Sequence, residues 1–284
     1  MIQGLPDFYH IGFHKTGTTF LQVEVFGRHP GILVRKTPEY FLDDVLLTKG
    51  PGYYKALFQG DQKGAKIVET SEGLSGDMFG LGRYRRIAAG IKEVDPDAKV
   101  IVFLRNQPAM IESLYKQYIK ERGVLPFNGF IASEIGDKVL EKVRYIEQVR
   151  FYKELFGKNL WVFLYEEMAR DMKGFFSRFY EIIGIEPFAP EMKKHNRGAT
   201  VLTGVLYRRL NMLCHSNPSV NCHRRKLRHV LDFLDHNLIK HVDKRKYMNE
   251  PMRRELAARF SESNRDLGKL IERDLSKYGY PVAG

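Results

Sequence analysis

The sequence predicts an α/β fold in which a central parallel β-sheet is flanked by helices and followed by a basic, mainly helical C-terminal portion. Three observations carry this. Short apolar runs alternate with helical stretches, as in a parallel sheet covered on both faces. The clearest run, Lys99-Val100-Ile101-Val102-Phe103-Leu104-Arg105, is apolar throughout its interior, as a strand buried on both faces must be. Charge is also segregated: residues 193–284 hold 20 Lys and Arg against 9 Asp and Glu, whereas residues 1–192 hold 26 against 25. The expected organisation is one domain over residues 1–284, with an α/β core at 1–192 and a basic helical portion at 193–284.

The first strand ends in Tyr9-His10-Ile11, and a tight loop then leads into a helix at Thr18 and Thr19. Gly12 and Gly17 bracket the loop, and both can take the positive φ that a tight cradle needs. A helix N-terminus offers partial positive charge and unpaired N–H groups, which makes it an anion site. The spacing from Gly12 to Gly17 and Thr19 fits a Walker A loop, but Thr18 stands where that pattern has lysine, and Lys15 lies inside the loop. This departure points away from a Mg-nucleotide hydrolase and towards another phosphate-bearing ligand.

The helix runs over residues 20–26 and stops near Gly27 to Gly31, before a short strand at 32–34. Residues 40–59 read as helical pieces around Gly50-Pro51-Gly52. Lys66-Ile67-Val68-Glu69-Thr70-Ser71 is a second buried strand leading into a Gly- and Ser-rich loop, the place where open α/β sheets put ligand-binding groups. A helix over 83–92 is closed by Asp95-Pro96-Asp97. After the strand ending at Arg105, Asn106-Gln107-Pro108 open a helix to about 122, with proline near its first turn. One helix is expected over 139–156, ending at Gly157, then a strand over 159–165 and a helix over 175–183 ending at Gly184. Residues 201–284 read as helical and basic, with Arg224-Arg225-Lys226-Leu227-Arg228 and Lys244-Arg245-Lys246.

Hydrophobic residues make up 43% of the chain, an ordinary share for a globular protein. No run approaches about 18 consecutive apolar residues, so no membrane span is expected. Met1 to Asp7 lacks the basic and apolar regions of a signal peptide, and the expected location is cytoplasmic. Cys214 and Cys222 do not form a disulfide framework. Each adjoins a histidine, His215 or His223, rather than lying two to four residues from its partner as zinc ligands do, so no metal site is expected. The basic C-terminal portion suits an anionic substrate, an acidic lipid surface or nucleic acid, or is a solvated helical surface. No recognised nucleic-acid motif accompanies it.

His14-Lys15-Thr16-Gly17-Thr18-Thr19 resembles the 5′-phosphosulfate-binding loop of the PAPS-dependent sulfotransferases, especially the carbohydrate and bacterial branch. The resemblance extends as ordered landmarks over about residues 8–281. It implies a P-loop-NTPase-like α/β fold and transfer of a sulfuryl group from 3′-phosphoadenosine 5′-phosphosulfate (PAPS) to a hydroxyl or amine, with no metal required. It places Lys15 at the oxygen bridging sulfur and phosphorus, with Thr16, Gly17, Thr18 and Thr19 around the 5′-phosphate and His14 flanking the loop. Arg105 and Ser113, a strand-ending arginine and a serine in the next helix, stand in the family's 3′-phosphate positions; a guanidinium fork and a hydroxyl suit phosphate oxygens. Arg197 and Gly198, and less closely Lys194, match a basic loop that folds over the cofactor.

The resemblance also nominates Glu69 as the base that takes the acceptor's proton. The glycan enzymes carry Glu-Lys-Ser at this point, whereas here Glu69-Thr70-Ser71 lacks the lysine. The acceptor stays open: a glycan, a glycolipid or a small metabolite. Two other readings stand beside this one, a P-loop kinase or nucleotide hydrolase and a non-enzymatic module binding polyanions or membranes.

Overall fold

The first strand, β1 (Phe8–Gly12), is buried at every position, because apolar side chains project from both of its faces. The protein is seen here as a computed structural model describing residues 5–35, 48–50, 52–53, 64–80, 82–191, 199–216 and 218–282. A short helix α1 (Thr18–Phe20) follows the loop and continues as a π-helical stretch, Leu21–Phe26. Then come β2 (Ile32–Arg35), β3 (Lys66–Ser71), helix α2 (Arg83–Val94), β4 (Val100–Leu104) and helix α3 (Gln107–Lys120). Among the described residues, five strands form one sheet in the order β2-β3-β1-β4-β5, with β5 at Leu160–Leu164. Every pairing is parallel. The predicted parallel sheet flanked by helices is the architecture found. The strand order reverses at β1, so a crevice opens at its carboxyl end, directly before the Gly12–Gly17 loop.

Alternation along the strands divides the core. Tyr9, Ile11, Val100, Val102 and Leu104 face one layer, where α2 contributes Ile87 and Ile91 and α3 contributes Ile111 and Leu114. Phe8, Val68, Ile101, Phe103 and Phe163 face the other, closed by Leu21 and Val25 and by the aromatic helix that follows β5.

The chain between α3 and β5 departs from expectation. In place of one helix over 139–156 there are α4 (Phe127–Ile131), α5 (Glu134–Lys142) and α6 (Ile146–Phe156). Ser133 caps α5 by accepting from Gly136 N at 3.2 Å. The break at 143–145 lets the Val143 carbonyl accept from Gln107 and the Tyr145 hydroxyl donate to the Arg105 carbonyl at 2.8 Å. After β5 come α7 (Tyr165–Arg170) and α8 (Met172–Ile183), the latter ended by Gly184 in the left-handed region as expected. The predicted helical pieces over 40–59 lie mostly outside the described residues, as do Lys194, Arg197 and Gly198.

The C-terminal portion has two parts. Helices α9 (Val201–Ser216) and α10 (Pro218–Leu234) pack together, and α9 lies against α3. A π-helical stretch (Asp235–Ile239) and the short α11 (Lys240–Val242) lead to the long α12 (Glu250–Ile271). Leu256, Phe260 and Leu267 of α12 and Tyr280 beyond it belong to the main core beside the sheet. Among the described residues no helix is long and apolar enough to cross a membrane.

Candidate active site

The loop after β1 is held by its own threonines. Thr16 donates its hydroxyl to the Phe13 carbonyl at 2.7 Å, and Thr18 reaches the same oxygen at 3.4 Å. Gly17 has φ 88° and caps α1, and a Cβ there would lie 3.2 Å from the Tyr165 ring. Only glycine satisfies both constraints. Gly12 does not take the positive φ anticipated for it; the residue that does is Lys15, at 68°. Gly12 is needed for a different reason, since a Cβ would meet Thr18 Cγ2 at 2.8 Å. The left-handed turn at Lys15 is the kind of strained backbone that concentrates at functional sites.

Lys15 donates from Nζ to Gln117 Oε1 of α3 at 2.7 Å. Burial holds its amine below the ordinary lysine range, with Glu72 and Glu121 opposing that shift and Lys120 and Arg105 adding to it. Arg105, at the end of β4, donates from Nη1 to the Lys15 carbonyl at 2.9 Å, and its guanidinium lies over the Tyr165 ring at 4.8 Å. Its Nε is buried and has no hydrogen-bond partner among the described residues. Ser113 is half-buried on α3, one helical turn before Gln117 and so on the same face as the partner of Lys15. Lys116, on the next turn of that helix, is likewise held below the lysine range, first by burial and then by Arg105 among its neighbours. The structure thus brings together Lys15, Thr16, Gly17, Thr18, Thr19 and Arg105 at the carboxyl edge of the sheet, beside the N-terminus of α1, and puts Ser113 on the α3 face that carries Gln117.

His14 is buried, and its pKa is lowered to about 3 by burial first, then by the charges of Lys142 and Lys15. Its Nε2 lies 3.9 Å from Glu72 Oε2. Glu69 occupies a different level. It pairs in register with Tyr9, three residues before the end of β1, and is fully buried. Since Ile11 pairs with Ser71, Glu72 comes level with the loop itself. Glu69 is therefore set back roughly 10 Å along the strand from that level, at about 3.3 Å per residue.

Sequence reasoning passed over Glu72, Gln117, Tyr165 and Lys142. Glu72 follows Glu69 by three positions and Gln117 follows Ser113 by four, so a local signal existed for each. Lys142 had none, because packing brings it from the end of α5. Burial lowers its pKa to about 8 against the opposing pull of Asp77 and Glu72. Lys142, Tyr145, Gln148 and Tyr84 line a cleft of about 250 Å³. The cleft borders the loop through Tyr145, whose ring meets Phe13 edge-on at 5.3 Å.

Comparison with solved structures gives a crystal structure of a sulfotransferase from Alicyclobacillus acidocaldarius at 22% identity and TM-score 0.65, covering 97% of this chain and 99% of that one. The mouse sulfotransferase SULT7A1 complexed with PAP is matched at 18% identity and TM-score 0.42, over 65% of this chain and 60% of that one. No family model and no curated protein matches the chain. The bacterial likeness covers both chains almost entirely, and it shows the fold: this chain has the P-loop-like α/β fold of a sulfotransferase.

Proposed function

We propose that the protein transfers a sulfuryl group from PAPS to a hydroxyl or amine of its acceptor. The observation that carries this reading is the pairing of Lys15 and Arg105 at the start of α1. One cation issues from inside the loop, and the other is bound to that loop's carbonyl with a buried donor left over. Two cations, a hydroxyl and a helix N-terminus suit a nucleotide with phosphate at both the 3′ and 5′ positions. When bound, PAPS supplies a sulfuryl group on a phosphate leaving group.

The loop N–H groups and the hydroxyls of Thr18 and Thr19 would hold the 5′-phosphate, and Lys15 would neutralise the charge that grows on the leaving phosphate. Arg105 and Ser113 would hold the 3′-phosphate; Arg197 and Gly198, outside the described residues, keep the cofactor-binding role that the resemblance implies. The acceptor enters from the cleft beside Tyr84 and Lys142. Its proton would go to a carboxylate while its oxygen or nitrogen takes the sulfuryl group and the nucleotide leaves as the 3′,5′-bisphosphate. Glu69 is the first candidate for that base. A second reading, favoured by the level of Glu72 with the loop and its proximity to His14, gives the role to Glu72. His14 itself, neutral with a pKa of about 3, is too weak a base and suits positioning instead.

Transfer of labelled sulfate from PAPS to water or to a panel of hydroxylated acceptors tests the reading. Lys15→Ala is expected to lower the rate by about 100-fold or more, the scale set by removing one transition-state donor. Either Glu69→Gln or Glu72→Gln is expected to abolish turnover while leaving nucleotide affinity near wild type. Full activity in all three variants would refute the assignment.

A further inference from the structure

We infer that the outer face of α10 and the turns following it docks on an anionic lipid bilayer. The inner side of this segment is tied down: Arg224 donates to the Lys120 carbonyl at 3.0 Å, Tyr207 donates to Asp232 at 2.6 Å, and Thr203 donates to Asp235 at 2.5 Å. Those contacts fix which face looks outward. Between residues 223 and 242 that outward face exposes Leu227, Val230, Phe233, Leu238 and Val242, with Phe233 65% and Val242 79% exposed. Large apolar side chains exposed this fully, in one continuous stretch, exceed the scattered surface leucines of ordinary proteins.

The charge pattern selects the occupant. The other exposed residues of the stretch are His223, Arg225, Lys226, His229, His236, Asn237 and His241, and none is acidic. Of the segment's carboxylates, Asp235 is buried in the contact just described, and Asp232, partly exposed, is neutralised by Lys120 at 3.5 Å. Lys244 and Lys246 extend the basic rim just beyond. Apolar side chains set among mainly cationic and imidazole groups are the composition of a helix lying in the plane of a membrane interface, with side chains such as Phe233 among the acyl chains and lysines at the phosphates. A second copy of the chain offers no matching acidic surplus, since residues 1–192 are nearly neutral. This inference is independent of the transfer reading, and its test needs no sulfuryl donor.

The test is co-sedimentation of the full-length protein with vesicles of phosphatidylcholine alone, or of phosphatidylcholine with phosphatidylglycerol, at low and high salt. The protein is expected to pellet with the phosphatidylglycerol vesicles and to be released by salt. Val230→Glu with Phe233→Glu is expected to lower the partition by about tenfold or more, and Lys226→Glu to lower it less. Both sites are exposed, so unchanged circular dichroism and melting should accompany the loss. Absence of binding to the anionic vesicles, or equal partition of wild type and the double variant, overturns the inference. So does a dimer in light scattering that the double variant dissolves, which would assign the face to a second copy.

Discussion

Burial lowers the pKa of both His10 and His14 to about 3, so each stays neutral in the folded protein well below the pH at which a free imidazole takes up a proton. The unfolded chain protonates both near pH 6.5. Below that point it binds protons the folded chain does not, so stability falls as the pH drops from about 6.5 towards 3 and is unaffected by these groups above 6.5. Each histidine contributes at most about 1.4 kcal/mol per pH unit to that slope. Urea unfolding of wild type and His14→Gln between pH 7 and pH 4 checks this: the variant should lose stability less steeply on acidification. Equal slopes would mean that His14 is protonated in the folded state. At this scale the sequence disclosed the loop residues, because glycine, threonine and lysine at that spacing have few other uses. It did not disclose that Lys15 rather than Gly12 takes the left-handed turn, since backbone conformation at a lysine depends on what surrounds it. The same holds for Lys142, whose pKa is lowered by burial that only the packed chain produces.

Helix α3 joins the site to the C-terminal portion. Asn106 caps it by accepting from Ala109 N at 3.1 Å, and its backbone and side-chain nitrogens donate to Glu166 Oε1 at 3.0 and 2.9 Å, so the start of the helix is locked to the first turn of α7, just after β5. One residue on, Gln107 and Asn264 of α12 exchange two buried amide hydrogen bonds, 2.6 and 3.0 Å. Replacing one partner leaves the other's polar groups buried and unpaired, which costs about 1–3 kcal/mol, whereas replacing both with apolar residues removes much of that penalty. Gln107→Leu and Asn264→Leu should each destabilise in urea, and the double variant should cost less than the sum of the two. Strict additivity would show that the pair is not coupled. The helix itself was legible from Asn106 and Pro108. Its tie to α12 was not, because a long-range amide pair leaves no local pattern. The break at 143–145 escaped for a related reason: it contains neither glycine nor proline, and its cause is the reach of Tyr145 and Gln107 across the core.

At the scale of the molecule, strand patterning was the strongest guide. A short, β-branched and aromatic apolar run such as Val100–Leu104 reads as a strand covered on both sides, and alternation with helices made the sheet parallel. The boundary drawn at residue 193 from charge alone divides less cleanly in space. Charge describes the surface, whereas Leu256, Phe260 and Leu267 return α12 to the main core. The central claim is that the carboxyl edge of this sheet binds a nucleotide carrying phosphate at both the 3′ and 5′ positions. Calorimetric titration with 3′-phosphoadenosine 5′-phosphate in EDTA, against ATP with magnesium, tests it most directly, with Arg105→Ala as the control for the 3′-phosphate. The account predicts metal-independent, micromolar binding of the bisphosphate, weak binding of ATP, and a loss in Arg105→Ala that is much smaller for 5′-AMP. Tight, magnesium-dependent binding of ATP with none of the bisphosphate would contradict it and return the site to the kinase reading.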